Sequence, residues 1–376
     1  MELTLMNEKE TWYTLLNAGE VYTPALVFYR SRLKENIERL KSMIDDPLRL
    51  RPHVKTHKTS EAALMMMEAG IRKFKCATIA EAEMLGMIKV PDVLMAYQPV
   101  GPNIQRLISL QQHYPATRFS CLVDSQAVAA ALSTLAEKKH LTIPVYIDLD
   151  VGMHRTGIAP DEKAIELYRY CSSLKGLGVL GLHFYDGHIR EREIEKRRVL
   201  CLELLSKVQA MRKELTEAGY KPQLVGGGSP SFPVYAREED MECSPGTFIL
   251  WDKGYEDGLP EQEFLTAGLV LTRVISLPDR NKVCMDLGYK AISSENDLAH
   301  RIHFLNAPDL KIVSQSEEHL VAEAPVGHSW QIGDLLYVLP FHICPTVALY
   351  DRALIVQNGM IADSWQIVAR NRKINI

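Results

Sequence analysis

The segment Arg51-Pro52-His53-Val54-Lys55-Thr56-His57-Lys58 decides how this chain is interpreted. A β-type run over residues 48–54 brings Lys55 to the position where a strand should end, and a helix is expected to begin near Thr59. A lysine at a strand's end can project into a pocket, where partial desolvation favours the neutral, nucleophilic amine. Lys55 is therefore the candidate for a lysine that forms a Schiff base. Lys58 is the alternative, but it starts the helical stretch and is expected to face solvent or an anion.

Short β-type runs alternate with helical stretches between about residues 48 and 250. The clearest helical stretch is Glu191 to Ala218, where apolar residues recur at intervals of three, four or seven until Gly219 ends the pattern. Eight strands with helices between them predict a closed (β/α)8 barrel of the TIM type, and an open doubly wound sheet is the alternative. The predicted strands lie at residues 48–54, 71–77, 92–96, 117–123, 142–149, 178–184, 222–226 and 241–243.

The sequence changes character after about residue 260. β-Type runs follow one another there, separated by turn dipeptides, at residues 269–275, 282–285, 335–339 and 354–356. We therefore predict two domains: a barrel over residues 21–260 and a smaller, mostly-β C-terminal domain over residues 261–376. Residues 1–20 are expected to pack with the C-terminal domain.

Composition and charge exclude several classes of protein. The chain is 47% hydrophobic and 24% charged, which is typical of a globular domain, and its net charge of -4 gives no basic field for nucleic acid. The sequence has no apolar run long enough to span a membrane and no apolar signal core near its start, so a cytoplasmic location is expected. The 7 cysteines include no CxxC pair, and a disulfide framework is not expected.

Four groups with chemical potential follow the carboxyl ends of predicted strands. Lys55 follows the first strand, Arg155 the fifth, Tyr185 the sixth and Gly226-Gly227-Gly228-Ser229 the seventh. Barrel enzymes build their active sites on that face, so the joint placement indicates one site. A structural ion pair for Arg155 and a core position for Tyr185 are the alternatives.

The glycine run suits a phosphate group. Without side chains, the N–H groups of Gly227 and Gly228 can approach an anion, and the Ser229 hydroxyl adds a donor. Thr247, after the eighth strand, could add a backbone N–H and a hydroxyl. Tight turns are the alternative at both places. A lysine, an arginine, an aromatic ring and a phosphate cradle together predict pyridoxal 5'-phosphate as the cofactor.

A second pair of candidate ligands lies far along the chain. His342 and Cys344 follow a β-type run that ends at Leu339, and if the strand continues, both side chains share one face. Imidazole and thiolate suit zinc, and two protein ligands leave positions open for substrate or water. Taken alone, the pattern is as typical of a buried thiol beside a surface histidine.

Together these motifs resemble a known family. The segments RPHVKTHK, GMHRTG, YDGH, GGGSP, SPGT, DLGYK and PFHICPT look like the D-threonine aldolase and D-serine dehydratase family of alanine-racemase-like pyridoxal phosphate enzymes. The resemblance spans nearly the whole chain, and the first and last motifs in this order are its most specific part. It implies a barrel followed by a β-domain, paired head to tail in a homodimer.

The resemblance also implies roles for individual residues. Lys55 would be the Schiff-base lysine, and a divalent ion, zinc or alternatively manganese, would lie at His342 and Cys344 near the cofactor. It implies cofactor contacts at Arg155, Tyr185 and the Gly227-Gly228-Ser229 loop, and Thr247 is added from its position.

The reaction implied is bond breaking at a D-3-hydroxy amino acid. Elimination would give a 2-oxo acid and ammonia, whereas retro-aldol cleavage would give glycine and an aldehyde. Some aldolase relatives carry aspartate at the position of Cys344 and a histidine near Glu191, so these residues favour elimination, although YDGHIR looks closer to aldolases. Three other functions are alternatives. An amino-acid racemase needs two bases, and only Lys55 is evident in this sequence. A non-enzymatic pyridoxal phosphate carrier lacks the second domain predicted here, and a metal hydrolase would not bind the cofactor.

Overall fold

The structure is a computed structural model that describes residues 12–376, in two compact units. The barrel unit comprises Ile37–Phe248, Gly258–Gln262 and Asn371–Ile376, and the β-rich unit comprises the chain up to Asn36 together with Ile249–Asp257 and Glu263–Arg370. This division differs from the predicted boundary at residue 21. Strand β1 (Ala25–Tyr29) belongs to the β-rich unit because its partners lie more than 230 residues later, a pairing that local sequence patterns do not reveal.

The barrel unit contains seven hydrogen-bonded parallel strands in chain order. Their positions agree closely with the prediction: β2 (Lys73–Cys76), β3 (Asp92–Met95), β4 (Arg118–Val123), β5 (Ile143–Leu149), β6 (Leu177–Phe184), β7 (Gln223–Gly226) and β8 (Met241–Cys243). The first predicted strand, at residues 48–54, is a 3-10 turn (Pro47–Arg49) followed by two parallel bridges. Leu50 pairs with Cys243 and His53 pairs with Lys75, so this segment joins both edge strands.

Helices follow the strands, as expected for alternating α/β units. Thr78 begins the helix after β2 by accepting a hydrogen bond from the Glu81 N–H, and Asp161 does the same for the Lys163 N–H after β5. The helix predicted at 191–218 spans Ile194–Glu217. The helices up to β8 are α1 (Arg30–Ser42), α2 (Ser60–Glu68), α3 (Ile79–Met87), α4 (Pro102–His113), α5 (Gln126–Lys138), α6 (Glu162–Ser173), α7 (Ile194–Glu217) and α8 (Phe232–Tyr235).

A buried arginine anchors the segment that carries Lys55. Arg51 is fully buried and donates to Asp92 at 2.5 Å and to Glu242 at 2.6 Å. A buried guanidinium is tolerated only with such partners, because the isolated charge would lose its hydration without compensation. The ion pairs tie the segment before Lys55 to β3 and β8.

The β-rich unit contains one sheet, and its nine strands in residues 12–376 are β1, β9 (Gly268–Asp279), β10 (Lys282–Met285), β11 (Ile302–Phe304), β12 (Lys311–Gln315), β13 (Leu320–Glu323), β14 (Leu335–Pro340), β15 (Arg352–Gln357) and β16 (Met360–Gln366). Their order is β12-β13-β10-β9-β1-β15-β16, and β14 pairs with both β9 and β11. Its core includes Val27, Leu269, Leu271 and Leu339, and Leu15 packs there also. The predicted packing of residues 1–20 lies, for residues 1–11, outside the described part of the chain. The remaining helices are α9 (Lys253–Gly258) and α10 (Ile343–Leu349).

None of the helices described here is both long and apolar enough to cross a bilayer.

Candidate active site

Lys55 opens onto a cavity of about 260 Å³ in the barrel unit. Its Nζ lies 5.7 Å from the centroid of the Tyr185 ring, which forms part of the cavity wall. The alternative lysine has another partner, because the Lys58 ammonium forms a partly buried ion pair with Glu81. Of the two lysines in the opening motif, Lys55 is therefore the one placed to meet a small molecule.

Arg155 and Tyr185 reach the same cavity from the loops after β5 and β6. The Arg155 Cζ lies 5.1 Å from the Tyr185 ring centroid, within the range of a cation–π contact. The glycine loop lies behind this ring: a Cβ at Gly228 would approach Tyr185 to 3.0 Å, and one at Gly227, where φ is +75°, would lie 2.7 Å from Tyr235. These glycines therefore allow the loop to pack directly against the cavity wall.

The predicted phosphate cradle is assembled differently from the prediction. The Gly228 N–H donates to Ser231 Oγ at 3.1 Å, so it is already used within the loop. The backbone N–H groups of Gly246 and Thr247 instead converge on Ser229 Oγ, both at 3.3 Å. Ser229 is 4% exposed, and the nearby Ser244 hydroxyl is buried without a hydrogen-bond partner in residues 12–376. These donors fit a phosphate group, which would satisfy hydroxyl and amide groups together.

Among the cavity residues to which the sequence gave no role, Asp148, His183 and Lys75 carry ionisable groups close to Lys55. Asp148 and His183 lie opposite each other on β5 and β6, and His183 Nδ1 is 2.7 Å from the Asp148 carboxylate. Lys75 projects from β2 into the same cavity. Asp148 and His183 lie a few residues before the GMHRTG and YDGH motifs, so proximity to Arg155 and Tyr185 in the sequence was an available signal. A lysine within a short barrel strand was the signal for Lys75.

The histidines beside Lys55 are buried and differ in their surroundings. His53 lines the cavity, and its Nδ1 accepts a hydrogen bond from the Lys55 backbone N–H at 3.2 Å. Burial, then the charges of Lys55 and Lys75, hold the pKa of His53 well below its ordinary value. Burial likewise lowers the pKa of His57 to about 3, and this ring contacts Thr59. Both imidazoles are neutral near pH 7.

His342 and Cys344 meet in the β-rich unit, but the predicted strand continuation is wrong. Strand β14 ends at Pro340, His342 is the residue that precedes helix α10, and Cys344 lies in its first turn. The helix turn, rather than strand alternation, brings the imidazole and the thiol into hydrogen-bonding contact. The two side chains therefore form a pair of potential metal ligands because a helix begins at this point, which the sequence pattern did not predict.

Acidic groups surround this pair. Glu295 Oε1 lies 2.5 Å from His342 Nδ1, and the buried Asp252 carboxylate accepts the Ile343 N–H at 3.0 Å. Burial opposes protonation of His342, but Cys344 and the two carboxylates together raise its pKa to about 9. Residues 12–376 contain no ready-made cluster of three or more metal ligands. With Nδ1 held by Glu295, an ion that displaces the proton of His342 Nε2 would bind that nitrogen and the Cys344 sulfur and keep open coordination positions.

Glu295→Gln is expected to weaken metal binding about tenfold. The carboxylate fixes the His342 tautomer and makes the imidazole a stronger donor, and loss of such partners typically costs ~10- to 100-fold in affinity. Zinc affinity can be measured by competition with a chromophoric chelator. Glu323→Gln, on the same unit beside Lys282, is the matched control. Equal affinities of wild type and Glu295→Gln would contradict the role given to Glu295.

The comparisons with known proteins agree with this architecture. Residues 29–251 match the family described as alanine racemase, N-terminal domain, and residues 267–356 match the one described as putative serine dehydratase domain. The chain belongs to the alanine racemase N-terminal domain family. The predicted resemblance is thereby confirmed, and with it the barrel and β-domain of an alanine-racemase-like fold.

Individual relatives carry two kinds of name. A D-threonine aldolase of Arthrobacter sp. is 27% identical over 359 residues, which cover 94% of this chain and 93% of that protein. The crystal structure of D-threonine aldolase from Filomicrobium marinum has a TM-score of 0.85 at 24% identity and covers 94% of this chain and 96% of its own. A cysteine-to-alanine variant of D-threo-3-hydroxyaspartate dehydratase, solved in the metal-free form, has a TM-score of 0.80 at 23% identity, with coverages of 92% and 97%. These named relatives are lyases of the pyridoxal phosphate fold type III family.

Proposed function

We propose that this protein is a pyridoxal-phosphate-dependent, divalent-metal-assisted lyase that acts on D-3-hydroxy amino acids. The observation that carries the proposal is the cavity in which Lys55 stands beside Tyr185 and Arg155. The family assignment supports it, as do the names of relatives that cover almost the whole chain.

Different residues of the barrel unit bind different parts of the cofactor in this proposal. When bound, pyridoxal phosphate supplies an electron sink for bond breaking at the substrate's α-carbon. Lys55 would hold the cofactor covalently, and its amine would move the proton at that carbon. Tyr185 and Arg155 confine the ring, and Gly227, Gly228, Ser229 and Thr247 provide the loops that hold the phosphate, with the converging N–H groups as donors.

In the β-rich unit, His342 and Cys344 hold the divalent ion. Nitrogen and sulfur ligands favour zinc, and manganese is the alternative. When bound, the ion supplies a Lewis acid for the substrate's 3-hydroxyl group. The metal-free form of the dehydratase cysteine variant supports a link between a cysteine and metal in that protein. By the same chemistry we assign Cys344 as a ligand here.

We propose β-elimination as the reaction, giving a 2-oxo acid and ammonia. The cysteine in the donor pair supports it. Retro-aldol cleavage to glycine and an aldehyde is the second candidate, because the Arthrobacter and Filomicrobium marinum relatives are named D-threonine aldolases. We also propose a homodimer in the cytoplasm.

Product analysis separates the two reactions. We expect purified, cofactor-loaded enzyme to convert D-serine to pyruvate and D-threonine to 2-oxobutanoate, each with one ammonia, and to release no glycine. D-3-hydroxyaspartate should be tested in parallel, and chiral analysis of residual substrate detects racemisation. Glycine with an aldehyde would establish aldol cleavage instead, and inactivity on all three substrates would contradict the substrate class.

A further inference from the structure

A second lysine projects into the cavity of Lys55. Lys75 lies on β2, is only 3% exposed, and its Nζ stands 5.9 Å from the Tyr185 ring centroid. Within residues 12–376, this amine has no hydrogen bond and no ion pair. A buried amine is costly when it lacks a partner, so the arrangement calls for one that is brought by a ligand.

The charged groups around Lys75 do not satisfy it. Asp148, facing it from β5, is engaged by His183 Nδ1. Asp186 accepts from the Ser231 hydroxyl through Oδ1 at 3.0 Å, and its Oδ2 is buried without a hydrogen-bond partner in residues 12–376, so it does not bind the amine either. Burial, followed by the positive charge of Lys55, lowers the pKa of Lys75 to about 7, and Arg51 adds to this effect while Asp148 and Asp186 oppose it. Near pH 7, the neutral and charged forms of this amine are therefore present in similar amounts when the cavity holds no anion.

An unused acceptor lies in the same cavity. His183 is buried, and burial, followed by the charge of Lys75, lowers its pKa to about 4, so the ring is neutral. Because Nδ1 faces the Asp148 carboxylate, Nδ1 carries the proton and Nε2 is an acceptor. Within the described chain, Nε2 is buried without a hydrogen-bond partner. A donor and an acceptor thus both lack partners inside the barrel.

We propose that Lys75 binds an anionic oxygen of the molecule held at Lys55, with His183 Nε2 accepting a hydrogen bond from a neighbouring donor of that molecule. This inference rests on the proposed function. The oxygen comes either from the cofactor's own ring hydroxyl or from the substrate's carboxylate. In both cases the anion stabilises the ammonium form, so binding draws a proton onto Lys75 at a pH above about 7 and little below it.

The test compares Lys75→Met with wild type and with Lys73→Met. Lys73 lies two residues earlier on β2 and pairs with Glu242, outside the cavity lining, so its variant makes the same charge change elsewhere. Calorimetric titration with pyridoxal phosphate in two buffers of different ionisation enthalpy, at about pH 8, gives the dissociation constant and the protons taken up. A second measurement tests the contact with substrate. The enzymes loaded with pyridoxal phosphate are titrated with D-serine, and the reaction at limiting substrate gives the strength of their interaction with D-serine. Lys75→Gln, which keeps a polar group of similar length, serves if the methionine variant does not fold.

Two results support the inference and name the source of the oxygen. A ring-oxygen contact predicts about tenfold weaker pyridoxal phosphate binding in Lys75→Met and a smaller proton uptake than in wild type, by at most the one proton that Lys75 binds. A substrate contact predicts unchanged cofactor binding with about a tenfold weaker interaction with D-serine. Wild-type values in both arms, within twofold, would overturn the inference. A wild-type protein that forms no covalent adduct with pyridoxal phosphate would overturn the proposed function itself, which separates the two failures.

Discussion

Lys55→Arg is expected to abolish covalent cofactor binding and to lower turnover by about 10³-fold. Arginine keeps the positive charge and the length of the side chain, but its guanidinium does not condense with an aldehyde. The variant also loses the group that moves the proton at the α-carbon, and a positioned acid–base group contributes ~10²- to 10⁴-fold. Two measurements check this: the visible absorbance of the purified protein, and peptide mass after reduction with borohydride, which fixes the adduct to its lysine.

Lys58→Arg is the matched control for this experiment. It lies three residues away, keeps its charge beside Glu81, and should retain the absorbance and the adduct. Because borohydride makes the attachment permanent, the modified peptide reports the lysine directly. An adduct on Lys58 or Lys75 in the wild type would remove Lys55 from the role assigned to it. Full turnover of Lys55→Arg would remove pyridoxal phosphate chemistry from this cavity.

Cys344→Ala is expected to lower turnover by about 100-fold and to release the bound metal. The substitution leaves His342 as the single ligand of the proposed pair, and the loss of a metal-bound Lewis acid removes several kcal/mol of transition-state stabilisation. A chelator should lower the turnover of wild type by a similar factor. Zinc or manganese added afterwards should restore the activity of wild type more fully than that of the variant. Metal content by atomic absorption, measured beside turnover, checks both parts.

Cys284→Ala provides the control for the cysteine chemistry. Cys284 and Cys344 are the two cysteines of the described chain that are not buried, and both belong to the β-rich unit. A general sensitivity to loss of a partly exposed thiol would therefore affect both variants equally. Turnover that resists chelator, with metal content unchanged in Cys344→Ala, would refute the ligand pair.

Local sequence patterns were enough for most of the barrel. Seven of the predicted strands match observed strands within a few residues, because alternation and length are properties of each segment alone. The first segment was predicted as a strand and is held by two bridges, since Pro47 starts a 3-10 turn and Arg51 is fixed by ion pairs. The domain boundary could not be predicted in the same way. Strand β1 has the sequence pattern of any buried strand, and only its pairing with β9 and β15 assigns it to the β-rich sheet.

For the candidate site, the sequence by itself determined which residue types stand after which strands. That was sufficient to select Lys55, Arg155, Tyr185 and the glycine loop, because chain order along a barrel fixes which loops share a face. It also selected His342 and Cys344, although a helix turn rather than a strand brings them together.

Only the tertiary structure decided which buried groups lack partners and which hold their neighbours. Lys75 and His183 are more than 100 residues apart in the chain and line one cavity, and Glu295 binds the His342 ring across 47 residues. Strand register, burial and hydrogen-bond geometry set such contacts, and all three depend on segments remote in sequence. Lys55 could therefore be chosen from its position after a β-type run of the sequence, whereas the unpartnered amine of Lys75 required the assembled barrel.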